Sequence, residues 1–424
     1  MKIDRKKLLE GLKVATKITP GKSTFPILAC VLIDGPGQQL VATDLETTGF
    51  IPLEISDYTR TMPAEEVEED LLEGLKGPQL KNLAQDYGIV LPDGKKPTVA
   101  VLRETIMAAC QSSAKEKTEW QEKFCIRAKD LKNIIATLEE DEVEICMAES
   151  DDQAFWSLLE SPFVRIGDNF QNLSTFPADD FPVIEMADFK DEVHVKIGRE
   201  ALVNVAVAVC GDNSGFNLSQ VYFDLAEKAA VATDGHRLHW VALPDATDVG
   251  ENFGVPNDAL KIVDAKKDAM VSVKYDAETR LVQIPLENGV LQIRASESKF
   301  PDWKAVIAQP EKHVTVAKAS IENSLKQALT ISGDQYRSIV MRINGGLDLS
   351  FTNPEKGEYQ KISIPVIEKT YGDDETVMGL NARFLLDAMK PVADENVRFG
   401  FTDEAHPMFF SHEDFSALVM PMRI

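Results

Sequence analysis

At 424 residues, with 44% hydrophobic and 27% charged side chains, the chain has an ordinary globular composition and is long enough for two to four domains. Its net charge of -24 repels nucleic acid on average, so any DNA contact must come from a local basic face. No apolar run approaches the ~20 residues of a membrane helix. The opening MKIDRKKLLEGL has no signal core, and the five scattered cysteines form no C-x-x-C pair, which argues against zinc or a disulfide framework and for a cytoplasmic protein.

In chain order, Leu8, Leu9 and Leu12 form an apolar helical stripe. From Ile27, ILACVLIDGPGQQLVATDLETTGFIPLEI reads as a strand, a Gly-Pro-Gly turn, a second strand, a polar corner at Thr43-Asp44 and a third strand. A second helix, AKDLKNIIATL, comes only after a long detour. The order then recurs. Leu202, Val205, Ala206 and Val209 make a stripe. LSQVYFDLAEKAAVATDGHRLHWVAL follows from Leu218, then PNDALKIVDAKKDA. It recurs again with Ile321, Leu325, Ala328 and Leu329, then SIVMRINGGLDLSFTNPEKGEYQKISIPV from Ser338 and NARFLLDAMKPV. The expected fold is therefore α+β, with three tandem copies of one unit of two helices and antiparallel strands. The domains span 1–187, 192–304 and 310–424.

The detour is an insert in the first copy, residues 61–121, within a connection the other copies keep short. It opens with EEVEED and continues as a short helix (Leu80, Leu83, Ala84), an extended link and a second helix (Val99, Leu102, Ile106). It is similar to the small helix-extended-helix modules of the SAP type, some of which bind DNA. The motif is short, and a solvated surface module or a partner-docking knob fits better.

Catalysis finds little support. TPGKST (19–24) lacks the glycine a phosphate loop needs at Thr16 and follows a helix, not a strand. Asp234 and His236 would need a nucleophile, and no G-x-S-x-G elbow or cysteine signature supplies one. The six histidines show no metal-binding spacing. Corners equivalent to Thr233-Asp234 stand at Thr43-Asp44 and Thr352-Asn353, without histidine. The Thr-Asp corner therefore reads as turn chemistry, the side chain bonding its own backbone. No enzyme activity, metal or cofactor is expected.

Three tandem copies, the opening KLLEGLKVATKI...STFPIL, the central VATDGHRL and the terminal VMPMRI together resemble the bacterial sliding clamp, the DNA polymerase III beta subunit family. The resemblance covers the whole chain except the insert. It implies a head-to-tail homodimer, a ring of six domains with helices lining the hole. Such a ring encircles double-stranded DNA without reading sequence, because phosphate contacts carry no base information. It tethers the polymerase and meets the clamp loader through short linear motifs. The resemblance places Lys22 and Lys129 facing DNA, and the basic first helix adds Arg5 and Lys13. It puts Thr330 and Ile331 at the dimer joint.

The same resemblance implies a partner-peptide pocket between the second and third domains. Its walls would be Leu218, Thr233, Gly235, His236, Arg237, Leu238, Pro301, Val306, Tyr336, Asn381 and Phe384, closed by Val419, Met420, Pro421, Met422 and Arg423. Leu238 is expected to face the groove, and Arg237 or His236 to fix a peptide's polar groups. Ala305 stands where the family often has a basic residue, Phe384 where tyrosine is common, and Asn257-Asp258 where cations often open the middle domain's second helix. The competing reading is a DNA-binding scaffold that acts through the inserted module without closing a ring.

Overall fold

The computed structural model describes residues 2–21, 24–35, 37–57, 99, 102, 123–148, 163–166, 171–189, 193–211, 218–246, 250–263, 265–297, 299–332, 338–353, 358–372 and 375–424. Of the insert at 61–121, only Val99 and Leu102 fall within them, both helical; its SAP-like reading otherwise lies outside the described residues. Two compact units emerge, Met1–Ala42 with Ile51–Pro182, and Thr43–Phe50 with Val183–Ile424.

The first unit begins with the strand Lys2–Asp4 and the helix Arg5–Ile18. Asp4 caps that helix, its Oδ1 accepting from the Lys7 N–H at 2.9 Å, the usual service of an N-cap carboxylate to an orphan donor. Leu8, Leu12, Ala15 and Ile18 bury one face, which packs on the helix Ala128–Thr137. The strand Cys30–Asp34 pairs antiparallel with Gln39–Thr43 and with Lys123–Arg127. Lys2–Asp4, Glu142–Ala148, Phe163–Ile166 and Gln171–Pro177 pair in that order, all antiparallel.

The second unit holds two further copies of this plan. In one, Val193–Gly198, Met270–Asp276, Leu281–Leu286 and Gly289–Arg294 form the ladder. Gln220–Asp224, Ala229–Thr233 and Arg237–Ala242 form the meander. In the other, the meander is Ser338–Asn344, Gly346–Asn353 and Glu358–Ile364. The helices are Arg199–Ala206, Asn257–Leu260, Lys318–Ser332 and Ala382–Met389.

One hydrogen bond sets the repeats in register. The first residue of each leading helix donates its N–H to the carbonyl just before the strand that follows the second helix. Arg5 bonds Asp141, Arg199 bonds Ala269 and Lys318 bonds Glu395, at 2.9, 2.8 and 2.8 Å. Positions 5, 199 and 318 are thus equivalent. So are 128, 257 and 382, where the second helices start.

The expected second helix of the middle copy is cut short. Asn257–Leu260 is helical, but the Ile262 and Val263 N–H groups fall back on Ala259 and Leu260. These i→i−3 bonds tighten the end, and Ile262 and Val263 are buried at 4% and 3% exposure. Burying both neighbouring β-branched side chains wins over continuing the helical stripe that PNDALKIVDAKKDA suggests.

The Thr-Asp corner is turn chemistry, twice over. At the first, Thr43 Oγ1 accepts from Leu45 N–H (3.0 Å) and donates to Thr47 O (3.2 Å), while Asp44 Oδ1 accepts from Glu46 and Thr47 N–H. At the second, Thr233 Oγ1 accepts from Gly235 N–H (3.1 Å) and donates to Arg237 O (2.6 Å), and Asp234 Oδ1 accepts from His236 and Arg237 N–H. The third residue is left-handed in both, Leu45 at φ 82° and Gly235 at φ 85°. Leu45 tolerates this conformation, so the glycine of ATDGHRL is favoured there but not demanded.

Candidate partner-binding site

The corner sets Arg237 at the start of the strand Arg237–Ala242. That strand pairs with the last strand of the chain, Phe415–Val419, from Arg237↔Val419 to Val241↔Phe415. This joins the second and third copies in one sheet and brings the tail to the corner. The Met420 N–H then donates to His236 O at 2.9 Å, and the Met422 N–H to Gly379 O at 2.8 Å. The tail is a strap with one anchor on each copy.

Arg237 is where the arrangement departs most from expectation. Its Nε donates to Asp234 Oδ2 (3.0 Å), Nη1 to Asp387 Oδ2 (2.6 Å) and Nη2 to Val207 O (2.6 Å). The guanidinium lies 4.4 Å from the centre of the Phe384 ring, and the side chain is only 10% exposed. Each of its three nitrogens is engaged, so Arg237 fastens the two copies together and is not the free hand expected for a peptide. Asp387, which supplies the bond across copies, was not singled out from sequence. Asn381 caps the helix Ala382–Met389, its Oδ1 accepting from Arg383 and Phe384 N–H. That cap positions Phe384, whose ring face alone meets the cation; a tyrosine hydroxyl is not needed for the stack.

Leu238 also departs from expectation. It is 4% exposed and lies in a core cluster with Ala229, Val231, Phe300, Trp303 and Leu418. The physical reason is strand alternation: Arg237 turns to Asp387, so Leu238 takes the opposite face, which is covered. Leu218 packs half-buried against the same cluster. Thr233 and Val419 are buried. His236, Pro301, Met422, Arg423 and Val306 are exposed, and Met420 and Pro421 half-buried. Tyr336 lies outside the described residues.

A cavity of about 360 Å³ opens beneath the strap, lined by Val377, Gly379, Glu404, Ala405, Pro421, Met422, Arg423 and Ile424. Only the three tail residues of this set were expected. The repeat holds glycine at this place in two copies and cysteine in the first. Gly379↔Met422 and Gly254↔Ser296 are isolated bridges, and Cys125↔Phe176 is the same pair in the first copy. In each, the end of the copy's chain crosses the residue two before position 127, 256 or 381. A Cβ on Gly379 would sit 2.6 Å from Met422 O and 3.0 Å from Ile424 Cγ1, and backbone cannot yield as a side chain tip does. Gly379→Val should therefore lift the strap. The expected result is faster removal of the last residues by carboxypeptidase, with the thermal unfolding of the rest little changed; an unchanged trimming rate would contradict it.

Beneath the corner, His239 is fully buried and its Nδ1–H donates to Asn204 O at 2.8 Å. Burial pushes the ring's pKa down to about 4, against the pull of the Asn204 carbonyl. The unfolded chain takes up this proton near pH 6.5 and the folded one near 4, so the neutral ring's contribution is complete above ~6.5 and lost as pH falls from 6.5 to 4. The gap of ~2.5 units corresponds to about 3 kcal/mol. Urea unfolding of wild type and His239→Phe at pH 7.5 and 4.5 should show the wild type losing more stability on acidification; equal losses would count against the assignment.

The cations expected to face DNA are divided. Lys13 and Lys129 are exposed, on the helices Arg5–Ile18 and Ala128–Thr137. Arg5 is half-buried, its Nε out of reach of solvent and without a hydrogen-bond partner among the described residues, so it projects less than expected. Lys22 lies outside the described residues. Thr330 is exposed near the end of Lys318–Ser332; Ile331 is in that helix, and its side chain lies outside the described residues.

Residues 305–423 match the DNA polymerase III beta subunit, C-terminal domain, family. The chain is 24% identical over 277 residues to the beta sliding clamp of Proteus mirabilis, covering 62% of this chain and 73% of that protein. Its likeness to the beta sliding clamp of Escherichia coli K12 is 23% over 281 residues, 62% and 74% of the two. The third copy thus matches a beta-subunit domain family, and the chain is similar to bacterial beta sliding clamps. Solved beta subunits share the fold along the entire clamp chain. That of Pseudomonas aeruginosa superposes with a TM-score of 0.72 at 20% identity, covering 100% of this chain and 99% of the other. That of Streptococcus pyogenes gives 0.73 at 16%, with the same coverage. The clamp fold thus carries the corner, the strap and the Arg237 fastening in its second and third copies.

Proposed function

We propose that the protein is a DNA sliding clamp. Two copies close head to tail into a ring around duplex DNA, and the ring tethers the replicative polymerase and other partners. One observation carries this reading. The third meander strand of one copy pairs with the last strand of the next, twice within the chain: Thr47–Phe50 with Val290–Ile293, and Arg237–Val241 with Phe415–Val419. The two halves of a third such joint are left open. Among the described residues, Glu358–Ile364 pairs on one side only, with Gly346–Asn353. Among the described residues, Gln171–Ser174 likewise pairs only with Phe163–Ile166. Open edges invite pairing, and a second copy supplies the complement of each. Gln327, one turn before Thr330 and Ile331, lies beside the open strand, its Oε1 accepting from Gln360 Nε2 at 3.3 Å. That supports the placement of Thr330 and Ile331 at the joint.

The site on the second and third copies then takes short linear peptides. Exposed Val306, Met422 and Pro301 offer apolar footing, and methionine adapts to several partners. Leu238 and Arg237 serve as its floor and its fastening. A five- or six-residue peptide burying two apolar anchors gains roughly 3–6 kcal/mol from them, so micromolar affinity is expected with its backbone bonds. The ring itself is non-catalytic and holds no metal or cofactor.

The test is solution mass by light scattering with retention on DNA of two topologies. A clamp is a dimer retained on nicked circles and lost from linear ends. A scaffold working through the insert is retained on both alike, and that result would overturn the reading.

A further inference from the structure

We propose that DNA is gripped by the first copy alone, through Lys13, Lys17 and Lys129, and that the helices of the other two copies let the duplex pass without holding it. This rests on the clamp reading and adds to it which part of the ring meets phosphate.

The register of the repeats allows the comparison. The helices Arg5–Ile18 and Ala128–Thr137 carry seven cations (Arg5, Lys6, Lys7, Lys13, Lys17, Lys129, Lys132) against two acids, Glu10 and Asp130. The equivalent Arg199–Ala206 and Asn257–Leu260 carry one cation, Arg199, against Glu200 and Asp258. Lys318–Ser332 and Ala382–Met389 carry three cations against two acids. Position by position, Lys13 becomes Val207 and Lys326, Lys17 becomes Gly211 and Thr330, and Lys129 becomes Asp258 and Arg383.

Most of what remains positive elsewhere is cancelled locally; Lys266 and Lys390, past the ends of their helices, are the exceptions, one on each of the other copies. Lys326 pairs with Glu322 at 3.2 Å and Arg383 with Asp387 at 3.4 Å. Lys261 pairs with Asp258 at 2.7 Å and Lys267 with Glu200 at 3.2 Å. Such exposed pairs add little stability. An acid beside a base nonetheless cancels the field a phosphate feels a few ångströms further out, within a Debye length of about 10 Å. Lys13, Lys17 and Lys129 are exposed, and their ammonium groups have no ion pair or hydrogen bond among the described residues. Their helices are fixed to each other where Lys132 Nζ donates to Thr16 Oγ1 at 3.2 Å. The three free charges therefore stand on one rigid pair of helices. On a chain of net charge -24, duplex DNA is repelled by most of the surface, and this is where the balance reverses. Sequence-neutral phosphate contact on so few points suits sliding.

The test uses the full-length protein and a short labelled linear duplex, with fluorescence anisotropy across a salt series. Lys13→Ala, Lys17→Ala and Lys129→Ala combined should weaken binding at least tenfold. The log affinity–log salt slope should flatten by about 0.9 for each lysine that sits on a phosphate. The control triple Lys266→Ala, Lys326→Ala and Lys390→Ala should stay within twofold of wild type at an unchanged slope. All six side chains are exposed, so both variants should keep the wild-type mass and circular dichroism. Equal loss in the two triples, no loss in the first, or a wild type without salt-dependent binding would each overturn the proposal. Retention on nicked circles is measured on the same wild-type protein. Its failure would remove the clamp reading, whereas its success beside any of those three results removes only the first-copy grip.

Discussion

Proline at position 360 or 361 should split the dimer into single chains. Both positions lie on Glu358–Ile364, paired on one side with Ser350 and Phe351 of the neighbouring strand. In an antiparallel strand successive N–H groups point to opposite edges, so one of Gln360 and Lys361 presents its N–H to the open side. Proline there deletes a ladder donor and leaves a carbonyl of the second copy unpaired, at about 1–3 kcal/mol, roughly ten- to a hundredfold in the dimer dissociation constant. The other substitution strikes the hairpin instead and should lower thermal stability more than it lowers dimer affinity. Light scattering at micromolar concentration, with circular dichroism on both variants, reads the difference. Two variants that both remain dimeric, or a wild type of single-chain mass, would show that the ring does not close along this edge.

The pairing that this prediction targets was half legible in the amino-acid sequence. Three copies of strand, turn, strand, corner and strand could be seen because Thr43-Asp44 and Thr233-Asp234 fold by bonds between residues no more than four apart. Turns of that kind are written in adjacent letters. The helices of the first and third copies could be seen for the same reason, their apolar spacing being local. Arg237 could be noticed but not understood, because its second carboxylate, Asp387, lies 150 positions away. The burial of Leu238 depends on Phe300, Trp303 and Leu418, which no periodicity around residue 238 announces. Gly379 is a similar case. Its need for a bare backbone comes from Met422 passing over it, and the repeat does not announce that need: the equivalent positions are Cys125 and Gly254, and Gly254 is crowded by Gln220 instead.

The same long-range fastening gives the largest expected effect of a single side chain. Arg237→Ala should destabilise the second unit by about 3–5 kcal/mol, the usual penalty for stranding one partner of a buried ion pair. Asp234 and Asp387 are only 13% and 11% exposed in their pairs with Arg237, so little water can replace the guanidinium. The Val207 carbonyl and the Phe384 ring face lose their partner too. Arg237→Lys should recover little of this. One ammonium cannot bond Asp234, Asp387 and the Val207 carbonyl in their separate directions while lying flat on Phe384. Asp387→Asn should cost less than Arg237→Ala, because asparagine keeps an acceptor oxygen and Arg237 keeps Asp234 and the Val207 carbonyl. Combining Asp387→Asn with Arg237→Met should cost clearly less than the sum of the two single changes, because the double variant strands only Asp234, whereas Arg237→Met alone strands both carboxylates. Urea unfolding of the four variants gives the cycle. Strict additivity would mean that Arg237 and Asp387 do not hold the copies together through each other. Peptide affinity measured beside it separates two roles. If Arg237 is a fastening and not a ligand, the double variant should recover peptide binding along with stability. A double variant that is stable but still cannot bind peptide would make Arg237 a direct contact after all.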